Sequence, residues 1–470
     1  MLTYSFENRN QLSLYEYLYQ QIRQDILSHR LSPDEKLPSK RALAEHLNIS
    51  TITVENAYGQ LLAEGYIYSR PKSGYYVSAI SSLETIPMTL EARSYEAPMA
   101  DPAPVYFADF MSNSSAKESF PFSMWTKLLR KTISDAPDKL LKKSPSVGVW
   151  ELRQEIANYL HAFRGMNVSP EQIIIGAGTE YLYGLIIQLL GRDKCYAVED
   201  PGYQKISKIY HANGVSCTHL PMDDHGIAME QLQSSNAEVL HLSPSHHFPT
   251  GIVTGVGRRY ELLSWAMENP GRYIIEDDYD SEFRFVGKPI PALQSIDHSG
   301  KVLYINTFSK SLSSTVRISY LVLPMELMER YHRELSFYSC TVSNFEQYTL
   351  ASFISEGHFE KHINRMRNYY RSQRDLLMEC LKKHPLYDRI HISEEDSGLH
   401  FLLHVDTSLS DEALVDKAAK NGIHISCLSQ YYADPNSPIK PHVLLINYSG
   451  IQAQKIPQAV ERLYQSLWEE

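Results

Sequence analysis

The sequence predicts an α/β protein with a small helical module in front of a large module of alternating helices and strands. The chain of 470 residues is long enough for more than one hydrophobic core. From about Asp109 onward, helical segments alternate with short apolar strands such as "QIIIGAG" and "RYIIEDDYD". Residues 79–108 contain prolines and small residues without a clear period, which is typical of a linker. The predicted domains are therefore 1–78 and 109–470.

Composition narrows the class of protein. The net charge of −10 argues against a surface coated with basic residues, although a local DNA site remains compatible with it. The five cysteines are scattered, without a C-x-x-C pair, which favours a reducing compartment and argues against a structural metal. The N-terminus lacks a signal-peptide pattern, and no apolar run approaches the roughly 18 residues of a membrane span. We expect a cytoplasmic protein that binds neither metal nor membrane.

The N-terminal module begins with three predicted helices. Apolar side chains recur at helical spacing in the first helix, at Leu12, Tyr15, Tyr19, Ile22 and Ile26. Pro38 and Ser39 open the second helix, and Ser50 is the expected N-cap of the third. The stretch "YIYSRPKSGYYVS" then predicts a hairpin.

Helix, helix-turn-helix and a basic-tipped hairpin form a winged-helix pattern, whose third helix would enter a DNA major groove. Short polar groups on that helix could read base edges, and basic groups could neutralise phosphates. The alternative is a small helical domain that contacts protein, since residues 1–78 carry 8 basic and 8 acidic side chains and are neutral overall. The predicted DNA-binding residues are Ser39, Lys40, Arg41, Ser50, Thr51, Thr53, Asn56, Arg70 and Lys72.

The order "LPSKRALAEHLNIS…TV..AY..L..EGYI…G.YV" resembles the winged-helix module of the GntR regulators over nearly all of residues 10–78. The resemblance implies binding to a double-stranded DNA operator. Many members of that family carry arginine where this chain has Asn56, so its base preference is expected to differ.

The C-terminal module places Lys310 on a hydroxyl-rich turn, "TFSKSLSSTVR". A lysine there could form a Schiff base with a carbonyl, and pyridoxal 5'-phosphate is the usual partner. Asp277, at the end of an apolar strand, could pair with the pyridinium nitrogen, and Tyr279 with the phenolic oxygen. Taken singly, Lys310 could be a solvated surface charge and Asp277 part of a surface turn.

The remaining atoms of such a cofactor also find candidate partners. A Gly-rich turn at a helix N-terminus and hydroxyl and guanidinium groups around the lysine could bind the phosphate. Tyr203 could stack on the ring, or could simply be core packing. The candidate phosphate residues are Gly178, Thr179, Glu180, Thr307, Ser309 and Arg317.

From about Phe120 onward the chain resembles a fold type I aminotransferase, through "GVWELRQEIANYL", "GAGTE", "EDPGY", "FPTG", "EDDYDSEF", "TFSKSLSSTVRISYLV" and "SGLHFLLHV". "SHHFPTG" and "EDDYDSEFR" are similar to the MocR group, where a GntR winged helix is fused to such a domain. The resemblance implies a pyridoxal-phosphate-dependent transcription regulator, with the cofactor on Lys310 and the partners proposed above. The resemblance further implies a homodimer with a head-to-tail, domain-swapped arrangement. It is also compatible with a PdxR-like regulator of vitamin B6 metabolism.

Departures from the aminotransferase pattern bear on whether the protein is a regulator or an active aminotransferase. Phe248 replaces the asparagine that usually precedes "PTG", and Gln430 stands where a late arginine usually clamps a substrate carboxylate. Lys205 offers a single charge with poorer geometry for that role. We therefore predict a regulator whose effector, at Lys205 and Gln430, is pyridoxal phosphate itself or an amino compound in vitamin B6 or amino-compound metabolism. The alternative is an active aminotransferase with an appended regulatory domain.

Overall fold

The structure, a computed structural model, describes residues 2–6, 9, 12–80, 104–111, 120–287, 290–396, 398–434, 437 and 439–468. The chain divides into two compact units, Met1–Pro102 and Ala103–Glu470, here called the N-terminal and C-terminal units. Most of the predicted linker, at 81–103, lies outside the described residues. The domain limits at 78 and 109 accordingly stay predictions.

The N-terminal unit consists of three helices and a two-stranded antiparallel hairpin. In chain order its elements are α1 (Leu14–Leu27), α2 (Lys40–Leu47), α3 (Thr51–Ala63), β1 (Ile67–Arg70) and β2 (Gly74–Val77).

Local capping explains the helix boundaries of this unit. Ser13 and Glu16 form a reciprocal capping box at the start of α1. The hydroxyl groups of Ser39 and Ser50 accept hydrogen bonds from backbone N–H groups in the first turns of α2 and α3. The buried face of α1 is formed by residues such as Leu18 and Ile22, whereas Tyr15, which the sequence placed on the apolar face, is 37% exposed. The predicted helical period is confirmed, but the face is rotated relative to the prediction.

The C-terminal unit begins with a short strand and then alternates helices with strands. Its elements are β3 (Ala108–Asp109), α4 (Phe122–Asp135), α5 (Pro137–Leu141), α6 (Trp150–Arg164), β4 (Ile173–Gly176), α7 (Thr179–Leu190), β5 (Cys195–Asp200), α8 (Gln204–Ala212), β6 (Ser216–Asp223), β7 (Gly226–Ile227), α9 (Met229–Ser234), β8 (Val239–Leu242), α10 (Val256–Met267), β9 (Tyr273–Asp277), β10 (Val302–Thr307), α11 (Phe308–Ser311), β11 (Ser319–Val322), α12 (Met325–Glu334), α13 (Asn344–Ser355), α14 (His358–Lys383), β12 (Ile390–Ser393), β13 (His400–Val405), α15 (Asp411–Lys420), β14 (Ile423–His424), β15 (Ser426–Cys427), β16 (Val443–Asn447) and α16 (Ile456–Trp468).

An eight-stranded sheet with the order β4-β11-β10-β9-β8-β5-β6-β7 forms the centre of the unit. The sheet is mixed rather than purely parallel as the sequence suggested, because β11 runs antiparallel to both β10 and β4. Residues 308–318, which join β10 to β11, contain only the short helix α11, and a parallel return usually needs a longer crossover. Leu303 and Ile305 pack into a core on one face and Tyr304 into a core on the other, so apolar clusters cover both faces.

The C-terminal part of this unit is a smaller antiparallel sheet with the order β12-β13-β16-β15. A short parallel pair joins β14 to β3, with Ile423 opposite Ala108. None of the described helices is both long enough and apolar enough to cross a bilayer.

The large sheet determines where functional side chains meet. Strands β4, β10, β9, β8 and β5 point the same way, so their carboxyl ends lie along one edge. Asp277 ends β9, Thr307 ends β10, and α7 starts just after β4. Ligands of open α/β sheets bind at this edge.

Candidate functional site

A cavity of about 370 Å³ opens at the carboxyl edge of the large sheet. Its lining includes every residue predicted to bind a cofactor, together with Lys205; these are Gly178, Thr179, Glu180, Tyr203, Lys205, Asp277, Tyr279, Thr307, Ser309, Lys310 and Arg317. Residues far apart in sequence therefore meet in one pocket of the size that small-molecule ligands occupy.

Lys310 lies on α11, the single helical turn after β10. The Thr307 hydroxyl accepts a hydrogen bond from the backbone N–H of Ser309 at 3.1 Å and thereby caps this turn. Burial lowers the pKa of Lys310 from 10.5 to about 8, with the nearby Asp280 carboxylate opposing the shift. The amine is consequently a better nucleophile at neutral pH than an exposed lysine.

The two carboxylate oxygens of Asp277 have different surroundings. The Tyr183 phenol donates a hydrogen bond to Oδ2 at 2.5 Å, and Nε2 of His241 lies 3.5 Å from the same oxygen. The other oxygen, Oδ1, is buried and has no hydrogen-bond partner among the described residues. An unpaired buried acceptor is costly, so this oxygen is suited to a donor from a bound ligand.

The opposite end of the cavity is suited to an anion. Helix α7 begins at Thr179, so free backbone N–H groups and the positive end of the helix dipole face the pocket. Gly178 has a φ of 93°, and a Cβ built there would lie 2.5 Å from a guanidinium nitrogen of Arg317. The glycine thus permits the close approach of Arg317 to the start of the helix.

Two basic side chains neutralise Glu180, which lies beside this anion-binding end. Lys205 forms an ion pair with one of its oxygens, and Arg317 lies 3.8 Å from the other. The hydrogen bond from Lys205 lowers the pKa of Glu180, and Glu180 in turn raises the pKa of Lys205. The negative charge that the sequence places here is therefore locally balanced.

Aromatic side chains form one wall of the cavity. The ring of Tyr203 meets Phe248 edge-on at 5.9 Å, and Phe248 meets Tyr431 edge-on at 5.3 Å. Tyr203 is 52% exposed, so its face is available to a planar ligand.

Gln430 is absent from the cavity lining, unlike its neighbour Tyr431. Its side-chain oxygen accepts a hydrogen bond from the backbone N–H of Cys427 at 3.2 Å and caps a turn at Leu428–Tyr431. The structure therefore does not bring the Gln430 side chain together with the other predicted effector residue, Lys205.

Some lining residues were not identified from the sequence. Tyr183 lies four residues after Thr179, so helical spacing could have placed it on the same face. For Glu199, which also lines the cavity, the sequence offered no comparable spacing. Burial raises its pKa to about 8, and it accepts a hydrogen bond from the backbone N–H of Ser243 at 3.0 Å.

The predicted DNA-binding residues belong to the N-terminal unit. Thr51 and Asn56 are exposed on α3, whereas Thr53 is half-buried and its hydroxyl lies 2.8 Å from that of Ser50. Lys72 is exposed at the tip of the hairpin, with a φ of 60°.

The basic groups near α3 differ in their freedom to meet a phosphate. Lys40 forms an ion pair with Glu55 at 2.6 Å, so its charge is partly neutralised within the protein. Arg70 lies 4.5 Å from the centre of the Tyr76 ring, and Arg41 is exposed on α2. Of the predicted contact residues, Arg41, Thr51, Asn56, Arg70 and Lys72 are exposed, and Ser39 and Ser50 act as helix caps.

Family models match both units. Residues 14–77 match the model for bacterial regulatory proteins of the gntR family, and residues 112–463 match aminotransferase class I and II. These matches confirm the predicted fold class, a winged helix followed by a fold type I aminotransferase-like domain.

Relatives share the whole two-part organisation. The HTH-type transcriptional regulator YdeL of Bacillus subtilis is 37% identical over 97% of this chain and 98% of that protein. The probable rhizopine catabolism regulatory protein MocR of Rhizobium meliloti is 31% identical over 96% of this chain and 93% of that protein. The pyridoxine biosynthesis regulator PdxR of Corynebacterium glutamicum is 29% identical over 88% of each chain.

Solved structures share the fold of the C-terminal unit. Kynurenine aminotransferase from Pyrococcus horikoshii, in complex with PMP, superposes with a TM-score of 0.67 and 23% identity, over 77% of this chain and 91% of that chain. At that identity the likeness concerns the fold. Together with the relatives and the matched models, it shows that this chain belongs to the MocR-type GntR transcriptional regulators, in which a winged-helix domain precedes an aminotransferase-like domain.

Proposed function

We propose that this regulator binds pyridoxal phosphate in the cavity through Lys310 and that the bound state alters its affinity for an operator. The observation that carries the proposal is the Lys310 amine, whose pKa is lowered to about 8. It shares the cavity with Oδ1 of Asp277, which has no hydrogen-bond partner among the described residues. A nucleophilic amine and a buried acceptor in one pocket suit a carbonyl cofactor with a ring N–H.

The residues fit the cofactor at both ends. Oδ1 of Asp277 offers an acceptor for the pyridinium nitrogen, and Gly178 leaves room for Arg317 at the start of α7. The Thr307 hydroxyl donates to Ser309 Oγ at 2.9 Å, and both line the cavity near Lys310. Arg317, Thr179 and Ser309 supply the charge and hydrogen-bond donors that a phosphate requires, and Thr307 orients the Ser309 hydroxyl among them.

Each side chain has a defined role in this proposal. Bound pyridoxal phosphate supplies a reactive carbonyl with which an amine condenses. Lys310 provides that amine, and Asp277 holds the ring nitrogen protonated. Tyr279 donates to the phenolic oxygen, and Tyr203 covers one face of the ring.

The effector is proposed to be pyridoxal phosphate itself rather than a carboxylate-bearing amino compound. Gln430 is turned back onto its own turn, and Lys205 is already paired with Glu180, so neither is a free clamp for a carboxylate. A ligand changes DNA binding only if it binds two states of the protein unequally. We propose that a homodimer, domain-swapped head to tail, presents two winged helices to repeated half-sites.

The first test is the visible absorbance of the protein with pyridoxal phosphate, measured together with binding to its own upstream DNA. The wild type is expected to give a visible band that Lys310→Ala abolishes, whereas Lys208→Ala, on an exposed residue of α8, retains it. The cofactor is expected to change DNA affinity only in proteins that give the band. A band of equal strength in Lys310→Ala, or DNA affinity indifferent to the cofactor, would overturn the proposal.

Adding amino acids to the protein with pyridoxal phosphate distinguishes the other two hypotheses, an amino-compound effector and an active aminotransferase. If amino acids shift the band while pyridoxal phosphate alone leaves DNA binding unchanged, the effector is an amino compound. Steady-state transamination at ordinary enzyme rates, on the order of 1–1000 per second, would favour the alternative of an active aminotransferase.

A further inference from the structure

A histidine outside the predicted site contacts one of the proposed cofactor-binding residues. His246 follows β8, and its Nδ1 lies 3.2 Å from the phenol oxygen of Tyr279. The same nitrogen lies 2.9 and 3.1 Å from the two carboxylate oxygens of Asp280. His246 and Asp280 are both at least 95% buried. A buried acid–histidine pair thus lies directly behind the Tyr279 phenol.

The Asp280 carboxylate determines whether Nδ1 of His246 donates or accepts in its contact with the Tyr279 phenol. An ionised carboxylate only accepts hydrogen bonds, so Nδ1 of His246 carries a hydrogen beside Asp280, whether the ring is neutral or charged. Nδ1 therefore has no lone pair with which to accept a hydrogen bond from Tyr279. At 3.2 Å it can only donate to the phenol oxygen, as the second branch of a shared hydrogen bond.

The phenol hydrogen is consequently available to another acceptor. Burial, reinforced by Asp280 and Asp277, raises the pKa of Tyr279 well above its ordinary range, so the phenol keeps its hydrogen at neutral pH. Tyr279 lines the cavity.

Packing holds the imidazole in this orientation. Gly398, with a φ of 72°, lies against the ring, and a Cβ there would come within 1.8 Å of Cε1 of His246. The His400 ring lies 4.8 Å away, and its Nε2 contacts the carbonyl oxygen of Pro249 at 3.1 Å. The ring of His246 therefore has little freedom to turn away from Tyr279.

We propose that His246, oriented by Asp280, is a positioning residue that directs the Tyr279 hydroxyl hydrogen into the cavity, toward the phenolic oxygen of the bound pyridine cofactor. The inference rests on the proposed function, since it assumes pyridoxal phosphate at Lys310. His246 acts through Tyr279, because Tyr279 lines the cavity and His246 is not among the lining residues.

The test follows the visible band of the full-length protein with pyridoxal phosphate as pH is varied. Negative charge on the phenolic oxygen favours a proton on the neighbouring nitrogen that joins Lys310 to the cofactor. A hydrogen bond from Tyr279 withdraws part of that charge. Losing this hydrogen bond therefore raises the pH at which half of the protein has lost the proton on that nitrogen, which is the midpoint of the titration. Tyr279→Phe and His246→Leu are each expected to raise the midpoint by about one pH unit, the scale of one charge-assisted hydrogen bond.

A conservative variant and a double variant separate positioning from general damage. His246→Asn retains a side-chain N–H close to the place of Nδ1 and is expected to titrate within a few tenths of a unit of the wild type. In the Tyr279→Phe background, His246→Leu is expected to add nothing, because its effect passes through the phenol. Equal shifts in both backgrounds, or a His246→Asn shift as large as that of His246→Leu, would overturn the inference.

His384 provides a matched control for the histidine substitution. Its Nε2 lies 3.0 Å from a Glu461 oxygen, which makes it a second histidine–carboxylate pair outside the cavity lining. His384→Asn is expected to leave the midpoint unchanged. If the wild type gives no visible band, the proposed function fails; if the band is present but His246→Leu titrates like the wild type, the inference alone fails.

Discussion

Tyr183 donates a hydrogen bond to Oδ2 of Asp277 at 2.5 Å, while Oδ1 of the same carboxylate has no partner among the described residues. The two oxygens therefore differ: one is used to orient the side chain and the other faces a ligand cavity. Most buried side-chain polar atoms have at least one hydrogen-bond partner, so a buried oxygen without one is informative. It is the arrangement expected of a group that pairs with a ring N–H.

Removing the Asp277 charge is expected to weaken cofactor binding. Asp277→Asn can no longer stabilise a protonated ring nitrogen, and loss of one charge-assisted hydrogen bond corresponds to roughly a 10- to 100-fold loss of affinity for pyridoxal phosphate. Tyr183→Phe frees the carboxylate to turn and is expected to have a smaller effect. Equilibrium titration of the visible band measures both, and an Asp277→Asn affinity equal to the wild type would contradict the assigned role.

The reaction of Lys310 with pyridoxal phosphate is expected to depend on pH with a midpoint near 8. Condensation needs the neutral amine, and burial lowers the pKa of this lysine from 10.5 to about 8. Above pH 8 the amine is mostly neutral and the rate levels off; below it the rate falls about tenfold per pH unit. At pH 7 about 10% of the amine is neutral, far more than in a free lysine.

Stopped-flow mixing of cofactor-free protein with pyridoxal phosphate at a series of pH values measures this profile. Free Nα-acetyl-lysine is the reference and is expected to keep gaining rate up to about pH 10.4. A protein profile that follows the free amine would show that Lys310 is solvated in solution.

Gly178→Ala is expected to impair recognition of the phosphate group specifically. The new Cβ would lie 2.5 Å from the Arg317 guanidinium, and the φ of 93° is strained for any residue but glycine. Displacing Arg317 removes a charge-assisted contact, so affinity for pyridoxal phosphate is expected to fall at least about tenfold. Affinity for pyridoxal, which lacks the phosphate, is expected to change little.

Gly184 provides the control for that substitution. It lies in the same helix, α7, and a Cβ there meets nothing within 4 Å. Gly184→Ala is expected to leave cofactor affinity unchanged and to raise the free energy of unfolding by up to about 1 kcal/mol, the helix propensity difference. Equal losses of pyridoxal phosphate and pyridoxal affinity in Gly178→Ala would indicate general disruption of the cavity.

The DNA contacts divide into base reading and phosphate neutralisation. Asn56→Ala, on the exposed face of α3, is expected to cost about 1–3 kcal/mol on the preferred operator and to relax base preference at one position. Lys72→Ala is expected to weaken all sequences alike and to reduce the salt dependence by about one counterion. Fluorescence anisotropy at several salt concentrations measures both effects.

Arg30 is a suitable control in the same unit, because it is paired with Asp25 at 3.1 Å and lies outside the predicted contacts. Arg30→Ala is expected to bind DNA like the wild type. If Lys72→Ala keeps the full salt slope, the hairpin does not contact phosphate.

Local signals in the sequence were sufficient for much of the fold. Ser39 and Ser50 predicted the starts of the two helices of the helix-turn-helix because helix caps act over three or four residues. The direction of β11 was not predictable from its apolar pattern, since parallel and antiparallel strands can share the same composition. The orientation of Gln430 also escaped prediction, because its hydrogen bond to Cys427 depends on the turn that the chain makes there.

The sequence by itself determined which chemical groups are present and their order: an amine at Lys310, a carboxylate at Asp277 and a glycine at Gly178, each at or shortly after the end of an apolar strand. Only the tertiary structure decided how these groups behave. Burial lowers the pKa of Lys310, and Arg317 packs against Gly178. Tyr183 binds one Asp277 oxygen, while the other has no partner in the part of the chain that the structure describes. These properties depend on neighbours that are distant in sequence and meet only when the parallel strands align their carboxyl ends at one edge of the sheet.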